Sequence, residues 1–166
     1  MKIIKFIGYS SSGKTTLIEK IVKKLTDDGI RVATIKHDVH GLDIDKEGKD
    51  SYRYSQAGAK ISIVSSPELT VYKLHKPLSL NEIISKIDDV DIIIVEGYSI
   101  EDGIPTIEVS RKATGKGFKC DLKNVIAVIS DYDKNELSKI GYTRELFDID
   151  DLENIIIFIK TKILKK

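Results

Sequence analysis

A chain of 166 residues suffices for one compact domain and is short for two of ordinary size. With 41% apolar and 32% charged residues, its composition is that of a folded globular protein and excludes a disordered one. Its 27 Lys and Arg against 26 Asp and Glu leave a formal charge of +1, which excludes a protein-wide basic footprint for nucleic acid.

The N-terminal MKIIKFIG gives an apolar strand over Lys2–Ile7 that runs straight into glycine, with no signal-like segment before it. Thr15–Asp28 reads as an amphipathic helix: Leu17, Ile18, Ile21, Val22 and Leu25 share one face, and Gly29 stops it. Arg31–Lys36 returns as a β-branched strand, which completes a right-handed, parallel βαβ unit. Val39–Gly48 is a polar surface loop, and Ser51–Ala57 a short helix. Lys60–Ser65 and Leu69–Leu74 are two strands turned at Ser66-Pro67, in antiparallel pairing. Leu80–Ile87 has helical period, capped near Ser79 or Asn81. Asp91–Val95 is an unbroken apolar strand of the kind buried on both faces of a parallel sheet. Pro105–Val109 and Asn124–Ile129 are further strands.

Between them, Lys112–Lys119 (KATGKGFK) has the composition of a lid. Cys120 is the single cysteine, which excludes an internal disulfide and fits a reducing, cytoplasmic setting. Asp150–Lys165 reads as a terminal helix, acidic at its start and basic at its end, although its isoleucine run also suits a strand. That run, Ile155–Ile159, is far below the ~20 residues of a membrane span. The expectation is one α/β domain over 1–166, with a three-layer P-loop fold, a mostly parallel sheet and an antiparallel hairpin insertion.

Residues Gly8-Tyr9-Ser10-Ser11-Ser12-Gly13-Lys14-Thr15 fill every specified position of G-x-x-x-x-G-K-[ST]. Such a loop curls its backbone N–H groups around phosphate oxygens, and the following helix adds its positive end. Lys14 then meets the β- and γ-phosphates, Thr15 ligates magnesium, and Thr16 reaches the α-phosphate. A serine- and glycine-rich turn is the bland alternative. The strand before and amphipathic helix after favour the phosphate loop.

Other candidates follow from the rule that ligands of open α/β sheets lie beyond the carboxyl ends of strands. Glu96 closes the strand IIIVE, where a carboxylate can hold magnesium or orient water. Lys36, His37 and Asp38 end the second strand; Asp38 suits magnesium and Lys36 suits phosphate, while His37 and His40 are equally loop residues. Asp131 and Asp133 follow a later strand, where a carboxylate can take N1–H and the 2-amino group of guanine. The N-K-x-D signature of guanine readers is missing, so a turn or helix-cap role stands beside base reading. Arg111 is either a phosphate contact or a solvated charge.

Together GYSSSGKTTLIEKI, IKHDVHGLDIDKEGKDSYRYSQAGA, DIIIVEGY and PTIEVSRK resemble the MobB family, molybdopterin-guanine dinucleotide biosynthesis protein B. The KHD followed by Asp43-Ile44-Asp45-Lys46-Glu47-Gly48-Lys49-Asp50-Ser51 is the most specific block, and the resemblance runs from Met1 to Arg111. It implies a GTP-binding, weakly hydrolysing homodimer that assists a guanylyltransferase joining GMP to molybdopterin. Gly8 through Thr16 carry over as the phosphate site, and Asp38 and Glu96 as acids on the magnesium side. Some dimeric P-loop proteins have an extra lysine in the loop; Tyr9 stands at that position here.

Three other readings compete. A small-metabolite kinase on the same fold needs arginines in a lid, whereas KATGKGFK supplies lysines beside Arg111. A nickel-insertion GTPase needs a Cys/His cluster that one cysteine and three histidines do not form. A binding module that delivers nucleotide or cofactor to a partner needs little hydrolysis of its own.

Overall fold

Glycine punctuation and apolar runs divide the chain into thirteen strands and helices, seen here in a computed structural model that describes residues 1–38, 45–98 and 103–165. In order these are β1 (Lys2–Ile7), α1 (Lys14–Asp27), β2 (Val32–Lys36), α2 (Asp50–Gln56), β3 (Ile61–Ser65), β4 (Thr70–Leu74) and α3 (Leu80–Ile84). Then come β5 (Ile92–Glu96), β6 (Thr106–Ser110), β7 (Ala127–Ser130), α4 (Lys134–Lys139), β8 (Glu145–Phe147) and α5 (Leu152–Phe158). The polar loop expected over Val39–Gly48 falls largely outside the described residues, as does His40.

By its contacts the chain divides into two compact units, Met1–His37 with Ile87–Lys166, and Asp38–Lys86. The first holds a six-stranded sheet in the order β2-β5-β1-β6-β7-β8, every neighbouring pair parallel. The unit β1-α1-β2 is the expected parallel crossover, but β5 lies between its strands. Ile92, Ile93, Ile94 and Val95 of β5 are all buried, which explains why this central strand reads as a continuous apolar run.

Side-chain alternation splits the sheet into two faces. Ile4 and Phe6 of β1, Ile107 and Val109 of β6, and Ala127 and Ile129 of β7 pack in the main core with Leu17, Ile21 and Leu25 of α1 and Ile155 of α5. On the opposite face Ile7 and Val128 meet Leu122, Val125, Leu137 and Tyr142. The result is helices on one face, a parallel sheet, and α4 with the 118–125 segment on the other, as the three-layer expectation requires.

The C-terminal isoleucine run is helical: α5 continues over Ile159–Leu164 with π-helical spacing. Helix α4 and strand β8 were not legible from the sequence, because six and three residues are too few to establish a period. The second unit is the antiparallel pair β3–β4, joined at Ser66-Pro67, with α2 and α3. Ile61, Ile63, Val71 and Tyr72 of this hairpin are exposed.

Because all six strands of the main sheet are parallel, their carboxyl ends share one edge. Ile7, Lys36, Glu96, Ser110, Ser130 and Phe147 end there.

Candidate functional site

The turn from β1 into α1 is shaped by what glycine allows. Gly8 has φ +148°, and a Cβ on it would lie 2.1 Å from the Val109 carbonyl oxygen, so no larger residue fits. Gly13 has φ +87° at the helix start, and Ser11 is also left-handed at φ +67°. Ser12 is buried, while Ser10 and Thr16 are exposed at the mouth.

Lys14 curls back into this loop. Its ammonium donates to the Gly8 carbonyl at 2.9 Å, the Tyr9 carbonyl at 2.7 Å and Ser12 Oγ at 3.5 Å. Burial pushes its pKa below the usual lysine value, opposed by the charge of Glu96 and reinforced by the ammonium groups of Lys119 and Lys36. Lys14 is thus a partly desolvated cation at the loop mouth.

Thr15 Oγ1 donates to Glu96, 3.1 Å from Oε1 and 3.4 Å from Oε2. The strand register explains this meeting across a gap of 81 in sequence: Phe6 and Lys36 both lie beside Glu96 in the sheet. One hydroxyl and one carboxylate at a phosphate loop are the kind of sparse donor set that magnesium takes, since it keeps several waters and the phosphates as its other ligands. The residues present therefore fit a magnesium-bound triphosphate.

His37 donates its backbone N–H to the Glu96 carbonyl at 3.0 Å, and its ring stacks on Tyr98 at 4.4 Å. Gly97, at φ +88°, gives room for His37, whose Cβ would lie 3.3 Å from a Cβ there. Asp38 is exposed and belongs to the second unit.

The segment expected to be a lid is tied down in this structure. Lys112 N–H donates to Asp131 at 2.8 Å, Ser110 Oγ to the Gly117 carbonyl at 2.7 Å, and Lys119 N–H to Glu108 at 2.8 Å. Lys116 Nζ lies 5.8 Å from the centre of the Tyr9 ring, so the tyrosine meets a cation of this strap. Glu108 was missed in the sequence because its strand position marks it only as an interior residue. It is fully buried, and burial raises its pKa although Lys119 N–H and Cys120 Sγ both donate to it. Burial also pushes the Cys120 thiol up to about 12, which makes it unreactive.

Asp131 accepts the Lys112 N–H, and Asp133 caps α4 by accepting from Glu136 N–H at 2.9 Å, while its own backbone N–H donates to the Glu136 carboxylate at 2.8 Å. The helix-cap alternative for Asp133 is therefore realised. Arg111 packs over the loop: its Nε would be 3.7 Å from a Cβ on Gly13. There it borders a cavity of about 350 Å³ together with Ser11, Thr16, Ile149 and Asp150.

A parallel sheet covered on both faces, with a glycine loop between its β1 strand and α1 helix and an acid ending the adjacent strand, defines an α/β fold of the P-loop NTPase type. The family model described as molybdopterin guanine dinucleotide synthesis protein B, MobB, matches residues 3–131. The molybdopterin-guanine dinucleotide biosynthesis adapter protein of Haemophilus influenzae is 36% identical over 157 residues, spanning 92% of this chain and 84% of that protein. Its Escherichia coli K12 counterpart is 36% identical over 166 residues, spanning 95% and 90%. The crystal structure of Bacillus subtilis MobB superposes with a TM-score of 0.76 at 24% identity, over 100% of both chains. The chain belongs to the MobB family.

Proposed function

We propose that this protein is a GTP-binding, weakly hydrolysing adapter in the biosynthesis of molybdopterin guanine dinucleotide, acting in the cytoplasm with a guanylyltransferase. The observation that carries the nucleotide part is the loop itself: Lys14 held in the mouth by two carbonyls, and Thr15 within 3.1 Å of Glu96. The adapter part rests on relatives that bear that description at 36% identity over most of their length.

In this reading Gly8 to Gly13 wrap the phosphates with backbone N–H groups. Lys14 exchanges its loop carbonyls for phosphate oxygens, and Lys36 adds charge from the neighbouring strand end. Thr15 and Glu96 hold magnesium, which supplies positive charge against that accumulating on the phosphates. Asp38 is proposed as a further metal-side acid on family resemblance alone. The site's own cations are lysines and Arg111, and hydrolysis is proposed to be slow until a second protein adds a further cation, since an arginine placed over the phosphates raises such rates ~10³–10⁵-fold.

The homodimer belongs to the same proposal. The exposed Ile61, Ile63, Val71 and Tyr72 of the hairpin give apolar area for association. Sedimentation of the purified protein at micromolar concentration tests that element.

The decisive experiment measures molybdopterin guanylation by the transferase, with GTP, in the presence and absence of this protein. Stimulation that is lost in Lys14→Ala supports the proposal. Rapid phosphoryl transfer to a small metabolite by the isolated chain would replace it with the kinase reading.

A further inference from the structure

The five aspartates that follow β7 and β8 are not equivalent. Asp131 is engaged by Lys112 N–H at 2.8 Å, and Asp133 is the cap of α4. Asp148 accepts Asp150 N–H at 2.8 Å, and Asp151 accepts from the Asn154 side chain at 2.8 Å. Only the carboxylate of Asp150 takes no hydrogen bond within the described residues, and it lines the cavity beside the phosphate loop.

That cavity has the features a planar base requires. Its volume of about 350 Å³ lies within the ~300–1,000 Å³ of small-molecule sites. Two groups converge above Gly13: the Ile149 methyl carbon Cδ1, 3.4 Å from a Cβ there, and the Arg111 guanidinium, with Nε at 3.7 Å. An aliphatic carbon and a planar cation are both good partners for the face of a purine. Thr16, expected at the α-phosphate, forms part of the same wall, so a nucleotide on the loop leads its sugar toward this pocket. Ser110 and Phe147 end β6 and β8 on the ligand edge, which brings Arg111 and Asp150 there together.

We infer that this cavity seats the nucleobase and that Asp150 is the guanine-selecting residue, its carboxylate accepting N1–H and the 2-amino group. The inference rests on the nucleotide-binding reading above. Guanine offers two adjacent donors to a carboxylate. Adenine presents a lone pair at N1 and no 2-amino group, so it leaves Asp150 facing an acceptor.

The test is calorimetric titration of the whole protein with GTP, ATP and xanthosine triphosphate in magnesium, for wild type and Asp150→Asn. Wild type is expected to prefer GTP over ATP. Asp150→Asn should lose ~10- to 100-fold in GTP affinity, since a hydrogen bond to a charged group is worth about that factor. It should gain for xanthosine triphosphate, whose 2-oxo group accepts from the new amide, and stay unchanged for ATP. Asp131→Asn and Asp133→Asn should leave the GTP-to-ATP ratio unchanged. Unaltered GTP affinity in Asp150→Asn overturns the inference and leaves the nucleotide reading standing. So does an equal loss for all three nucleotides, or a ratio that moves in either control variant. Failure of wild type to bind any of the three overturns both readings.

Discussion

Lys14 is the residue with most to lose. Its ammonium makes two short carbonyl contacts in a partly desolvated pocket, and a phosphate would replace them with charged partners. Lys14→Ala is expected to cost ~1.5–3 kcal/mol of triphosphate binding, roughly a ten- to hundredfold fall in affinity, with the fold intact by circular dichroism. Glu96→Gln should keep nucleotide binding and lower turnover, since the amide preserves shape but loses the charge beside Thr15; single-turnover hydrolysis reads this directly. Gly8→Ala fails for a different reason. With the Val109 oxygen 2.1 Å from the added methyl, the loop or the end of β6 must shift, and overpacking of this kind costs ~1–3 kcal/mol or more. Its denaturant midpoint should fall even without nucleotide.

At the scale of elements, two ionisable pairings make opposite demands on pH. Arg31 ties the entry of β2 to Asp91 at the entry of β5 through its backbone N–H at 2.9 Å, Nε at 3.1 Å and Nη2 at 3.0 Å. These bonds hold the Asp91 carboxyl at about 2, below its ordinary 3.8. A depressed carboxylate stabilises above its unfolded pKa and loses that contribution as pH falls through the folded one. Asp91→Asn should therefore melt below wild type at pH 7, with the gap closing between about pH 4 and pH 2.

Glu108 on β6 has the reverse sign. Burial raises its pKa above 4.5, so the folded state binds its proton more readily and ionisation costs stability as pH rises. The melting temperature of Glu108→Gln relative to wild type should become more favourable on going from pH 4 to pH 8. A difference that is flat in pH would show that the buried carboxylate carries no charge penalty. The carboxylate is held by Lys119 N–H and Cys120 Sγ, whose bonds to its oxygens fix the strap against β6.

For the whole molecule, the sequence determined the glycine loop between β1 and α1 outright. Gly8, Gly13, Lys14 and Thr15 act through local backbone geometry, and their strand and helix context lies within the same thirty residues. It also determined the long apolar strand β5, the helix α1, the hairpin and, through KHD and the acidic block after it, the family. Those signals are periodic or local, which is why they can be read along the chain. The strand order could not be read in this way. That β5 inserts between β1 and β2, and so brings Glu96 onto Thr15, follows from packing of surfaces far apart in sequence. Neither α4 nor β8 is long enough to announce itself. The acids show the same limit most clearly. Asp131, Asp133 and Asp150 are alike as letters, each just beyond a strand, and the sequence pointed to the first two. Only the tertiary structure decides which is spent on a backbone N–H and which lines a cavity without a hydrogen bond to any of the described residues, because hydrogen-bond satisfaction depends on neighbours that the chain brings together only on folding.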